Sequence, residues 1–94
     1  MNETPHILLF VNAARGDSRI RPMHISLYLA FYNYWVENRC SNPVHISRRK
    51  IMQTAKIRSI ATYHKTLGEL CQYRYIIYEP SYDPRYGSAI SLLL

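Results

Sequence analysis

Ser47 and Ser59 each stand directly before a short run with helical spacing. The residues between those runs, Lys56-Ile57-Arg58, leave room only for a tight connection. A serine hydroxyl accepts from the free N–H groups of a first helical turn, so both positions read as N-caps. The first helix is expected over 47–56, with Ile51, Met52 and Ala55 facing inward. The second is expected over 59–73, with Ile60, Tyr63, Leu67, Leu70 and Cys71 inward at spacings of three and four. Gly68 lowers helix propensity there and reads as a point of close helix approach.

The flanking segments supply the rest of the fold. Pro22 suits a first helical turn, and a helix is expected over 22–39, broken by Asn42-Pro43. Ile25, Tyr28, Leu29, Tyr32, Trp35 and Val36 make one apolar face, and Leu27, Phe31 and Tyr34 add a second strip. A helix apolar on two sides must bury both. One side takes the core, and the other takes the N-terminal segment or a second subunit. Residues 1–20 form an extension with a short apolar helix over 5–14 and a loop at Arg15, Gly16, Asp17 and Ser18. Val44-His45-Ile46 has the β-branched character of a short strand. Tyr75-Ile76-Ile77-Tyr78 and Ala89-Ile90-Ser91-Leu92 read as the arms of a hairpin over 75–92, punctuated by Pro80, Asp83, Pro84 and Gly87. At 94 residues and 48% hydrophobic content, this is one globular domain spanning 1–94.

Charge is distributed unevenly along that framework. The formal net charge is +6, and the acids are Glu3, Asp17, Glu37, Glu69, Glu79 and Asp83. None lies between Asn38 and Gly68, a window that holds Arg39, Arg48, Arg49, Lys50, Lys56, Arg58 and Lys65. Positive charge in the first turn of a helix opposes the helix dipole, so Arg48-Arg49-Lys50 points to a polyanion nearby. The order helix, short strand, helix, turn, helix, hairpin defines the expected fold class: mainly α with a β-hairpin, a winged helix-turn-helix. In that arrangement the second helix of the pair enters the major groove. Taking Ile60, Leu67 and Cys71 as inward, and about 100° per residue, the groove-facing positions are Thr62, Lys65 and Glu69. The expected contacts to duplex DNA are Arg48, Arg49, Lys50, Lys56, Arg58, Ser59, Thr62, Lys65 and Thr66, with Arg85 and Tyr86 at the tip of the wing. His64 reads as a partly buried spacer, and Tyr63 as a core residue with its hydroxyl at the edge.

Several runs carry a resemblance: His24-Ile25-Ser26-Leu27-Tyr28-Leu29-Ala30, Ile46-Ser47-Arg48, Lys56-Ile57-Arg58-Ser59, Thr62-Tyr63-His64, Glu69-Leu70, Tyr75-Ile76 and Pro80-Ser81. Over residues 20–92 the chain resembles small winged-helix proteins of bacterial conjugative and other mobile elements. It departs from them at Arg58, where glycine is common. The resemblance implies a winged helix and DNA binding in transcriptional regulation or in excision of the element, with no catalytic residues.

Other functional classes find less support. The four histidines and two cysteines show neither CxxC nor HxxxH spacing, so no metal or other cofactor is expected. No carboxylate lies close in sequence to His45 or His64, and there is no phosphate loop, so no enzyme is expected. Two cysteines and the absence of a long apolar run point to a cytoplasmic protein with reduced thiols and no membrane contact. Nine tyrosines could stack on single-stranded bases, though most fall on inward positions. The expected partners are double-stranded DNA and a second copy of the chain, the latter through Leu27, Phe31, Tyr34 and the N-terminal segment. The alternatives are a protein-interaction module on the same scaffold and an RNA-binding module.

Overall fold

The computed structural model describes residues 6–81, 85 and 87–93. In chain order the elements are α1 (His6–Arg15), α2 (Pro22–Glu37), β1 (Val44–His45), α3 (Arg48–Ala55), α4 (Ile60–Gln72), β2 (Ile76–Glu79) and β3 (Ala89–Leu92). Each helix of the expected pair is slightly shorter than the sequence reading, because Ser47, Lys56, Ser59 and Tyr73 are caps and not helical residues.

The strands join into one antiparallel sheet of order β1-β3-β2, which makes the fold mixed α/β and not a set of helices with a separate hairpin. Val44 pairs with Ile90 and His45 with Ala89. Along the other edge of β3, the register runs from Ile76 opposite Leu92 to Glu79 opposite Ala89. Asn42 extends the ladder with its side chain, accepting from the Leu92 N–H at 3.1 Å and donating to the Leu92 carbonyl at 3.2 Å. At the other end, the Ile46 N–H donates to the Ser88 carbonyl at 2.8 Å. Gly87 makes this approach feasible. Its φ is +66°, and a Cβ there would sit 3.0 Å from the Ile46 carbonyl oxygen. The residues that lead into α3 are therefore fixed to the base of the hairpin.

The packing of α2 corrects the sequence reading. Leu27 and Phe31 are 0% exposed and belong to the core with Tyr28, Ala30 and Trp35, whereas Ile25, Leu29 and Val36 are exposed. The buried face thus combines Leu27 and Phe31, expected on a dimer surface, with Tyr28 and Trp35 of the face expected at the core, and leaves Ile25, Leu29 and Val36 of that face outside. Helix α1 covers one end of this core. Phe10 is fully buried and stacks on Tyr28 with ring centroids 3.7 Å apart, and the His6 ring lies 4.6 Å from that of Trp35. Tyr34 is half-buried against the same core.

His24 joins α2 to α4. Its Nδ1 accepts from the Arg21 N–H at 2.9 Å and so caps the start of α2. The proton must then sit on Nε2, which donates to Glu69 Oε1 at 2.9 Å. The Ser26 hydroxyl donates to the Ala55 carbonyl and so satisfies an orphan acceptor at the end of α3.

The loop between α1 and α2 is held by Asp17. Its carboxylate accepts from Arg19 Nε and Nη2, each at 2.9 Å, and from the Tyr75 hydroxyl at 2.7 Å. The Arg19 guanidinium lies 4.3 Å from the centre of the Tyr73 ring. The hydrogen bonds from Arg19, then that from Tyr75, hold the Asp17 carboxyl well below the usual carboxylate range. A depressed carboxylate stabilises the fold fully above its ordinary value of 3.8 and loses that contribution as pH falls through the lowered one. Asp17→Asn is therefore expected to lower the urea midpoint at pH 6, with the gap to wild type closing as the pH is taken well below 3. A gap independent of pH would show that the carboxylate charge plays no part.

Candidate nucleic-acid interface

Helices α3 and α4 are built locally, from their caps. The Ser47 side chain accepts from the Lys50 N–H at 3.3 Å, and the Ser59 side chain from the Thr62 N–H at 3.1 Å. Helix α3 ends on Lys56 in the left-handed region, φ 62°. The Ile57 N–H reaches back to the Met52 carbonyl at 3.0 Å, and this reversal aims α4 away from α3. Ile51, Ala55 and Ile57 are buried and fasten the pair to the core.

The buried side of α4 consists of Tyr63, Thr66, Leu67 and Leu70. Ile60, expected inward, is 49% exposed, and Thr66, expected at the DNA surface, is only 4% exposed. Including Ile60 in the inward set had turned the inferred helix phase. The outward face is Ala61, His64, Lys65 and Gly68, all exposed, while Thr62 and Glu69 are half-buried at its border. Lys65 keeps its expected place, Thr62 lies at the margin, and Thr66 is removed from the surface. His64 was missed as a surface residue. Phasing the helix on Tyr63, Leu67 and Leu70 alone would have found it.

Among the described residues, no heavy atom of another element lies within 4 Å of where a Gly68 Cβ would stand, so no described helix approaches it closely. Gly68→Ala is expected to stabilise the protein by about 1 kcal/mol through helix propensity alone, read as a rise in the denaturant midpoint. A fall would mean that the open space is needed for folding.

The remaining expected contacts form two groups at opposite ends of α3. Arg48, Arg49 and Lys50 are exposed on its first turn. Arg48 and Arg49 share a cleft of about 240 Å³ with Tyr63 and His64 of α4 and with Tyr78 and Ser88 of the hairpin. At the other end, Lys56 and Arg58 line a larger hollow with Met52, Gln53 and Ile57. Ser59 is exposed at the start of α4, so the first turns of that helix run from one group to the other. Arg19 pairs with Asp17, and the Glu69 carboxylate accepts a hydrogen bond from the neutral His24 ring. Among the described residues, no carboxylate pairs with Arg48, Arg49, Lys50, Lys56, Arg58 or Lys65. Arg85 is exposed on the loop between β2 and β3, and Tyr86 lies outside the described residues.

A second surface has the opposite character. Ile25, Leu29 and Val36 form an exposed stripe on the side of α2 turned from the core, and Leu8, Leu9 and Val11 are exposed on α1. Val11 and Ile25 meet in a shallow groove that Phe10, Ala14 and Ile20 also line. Among the described residues, no helix is long and apolar enough to cross a membrane, and no cluster of three or more His, Cys, Asp or Glu could hold a metal ion. No protein-family model, no curated protein and no solved structure matches this chain.

Proposed function

We propose that this protein binds duplex DNA as a winged helix-turn-helix. In this reading α3 and α4 are the helix pair, α4 lies in the major groove, and the β2–β3 hairpin is the wing. The observation that carries the reading is the cationic surface of α3 and α4, which no carboxylate among the described residues neutralises and which surrounds an exposed helix face of small relief. A major groove admits one helix, and the side chains that a groove-bound α4 would present, Arg58, Ser59 and Lys65, are exposed at its start and on its outward face. Arg48, Arg49, Lys50 and Lys56 would then lie on backbone phosphates, which supply affinity and register without sequence information. Action as a transcriptional regulator, or as an accessory factor in excision of a mobile element, is the setting supplied by the sequence resemblance.

The test is fluorescence anisotropy with a mixed-sequence duplex across a salt series, with single-stranded DNA and an RNA hairpin as competitors. For about four to six phosphate contacts, log K should fall against log salt with a slope of roughly −4 to −5. Binding that favours either competitor, or that is absent at low salt, would overturn the duplex reading.

One observation favours a second reading, that the scaffold docks another protein. The exposed apolar residues of α1 and α2 are the face such a partner would use, in place of the buried Leu27 and Phe31. In that case charge reversal at Lys65 would leave DNA affinity unchanged.

A further inference from the structure

Tyr63 is 2% exposed, yet among the described residues its hydroxyl has no hydrogen-bond partner. Among the described residues, the sealed polar side-chain atom without a partner is Trp35 Nε1. The Tyr63 hydroxyl is not among such sealed atoms, and Tyr63 lines the cleft between α3, α4 and the hairpin. A nearly buried hydroxyl that forgoes a partner costs stability, and the charged groups that line the cleft with it are guanidinium. Arg48 and Arg49 bring guanidinium donors and His64 an imidazole. The Tyr78 hydroxyl donates to Ser88 Oγ at 2.9 Å, which leaves the serine proton free to donate onward. Ser47 takes the Lys50 N–H, so the N–H groups of Arg48 and Arg49 keep no helical partner at the positive end of α3. Among the described residues, no carboxylate lines the cleft.

We propose that this cleft is a phosphate-binding site, with the Tyr63 hydroxyl as its innermost donor and the first turn of α3, Arg48 and Arg49 as its charged wall. The proposal rests on the duplex-binding reading for its natural ligand, a backbone phosphodiester held where α3, α4 and the wing meet. Burial pushes the Tyr63 hydroxyl up to about 12, with a smaller rise from Tyr78 and an opposing effect of Arg48, so the group stays protonated and donates. The same chemistry would accept a free phosphate or phosphomonoester.

Tyr63→Phe separates the possibilities, because it removes the oxygen and keeps the ring that packs in the core. The variant should melt at or above the wild-type temperature, since the hydroxyl makes no bond within the chain. Two ligands are then titrated at constant ionic strength: a short duplex, followed by anisotropy, and inorganic phosphate alone, followed by amide NMR shifts at Arg48, Arg49 and His64. The expected result is duplex binding by the wild type that Tyr63→Phe weakens by about tenfold or more, the factor carried by a hydrogen bond to a charged group. Saturable phosphate shifts that vanish in Tyr63→Phe, with no duplex binding by the wild type, would also support the cleft. They would assign it to a free phosphorylated ligand and overturn the duplex reading instead. Wild-type duplex affinity in Tyr63→Phe, together with no saturable phosphate shift in the wild type, would overturn the cleft proposal and leave the duplex reading standing.

Discussion

Replacing Arg58 and Lys65 together by alanine is expected to weaken duplex binding by about ten- to a hundredfold at moderate salt and to flatten its salt dependence. Each phosphate contact contributes roughly 0.9 to the slope of log K against log salt, so losing two should bring a slope of −4 to −5 nearer to −2 to −3. The prediction is sharp because neither side chain supports the fold. Both are exposed, and no carboxylate among the described residues pairs with either. Surface substitutions of this kind change stability by about 0.5 kcal/mol or less, so the denaturant midpoint should stay at its wild-type value while affinity falls. If one of the two contacts a base edge instead of a phosphate, the slope changes by about 1 and discrimination between duplex sequences relaxes. Unchanged affinity and slope in the double variant would remove α4 from the groove and favour the protein-docking reading.

Phe31→Ala is expected to be the most damaging single change to the fold. Phe31 is 0% exposed in the core of α2, and truncating a buried phenylalanine costs about 3–5 kcal/mol through lost transfer energy and the cavity left behind. A domain of this size has about 5–15 kcal/mol to lose, so the variant should be near or past its unfolding threshold at 37 °C. Leu29→Ala supplies the contrast. Leu29 is exposed on the opposite side of the same helix, and its truncation should cost about 1 kcal/mol or less. Urea unfolding of the two variants reads the rotation of α2 directly. A larger loss from Leu29 than from Phe31 would place Leu29 in the core and Phe31 outside it.

That contrast marks where reading the sequence stops being sufficient. Caps and turns act over a few residues, so Ser47 and Ser59 fixed the starts of α3 and α4 without knowledge of the fold. The β-branched and aromatic runs located β2 and β3 to within a residue, and the absence of acids between Asn38 and Gly68 was visible by inspection. Helix phase was not settled in this way. Helix α2 carries apolar residues on both sides, and periodicity alone cannot say which strip meets α3, α4 and α1. Ile60 misled the phase of α4 for the same reason, because an isoleucine in a first turn can remain exposed while Thr66 is buried further along. Long-range pairing was equally hidden. Two residues of β1 could not announce that they pair with β3 across two intervening helices, nor that Ile46 and Gly87 would meet. Local sequence determined the elements, their ends and the distribution of charge, since those depend on neighbouring backbone groups and on composition. Only the tertiary structure decided which faces are buried and which side chains share the cleft at the start of α3, since those follow from how distant segments exclude water from one another.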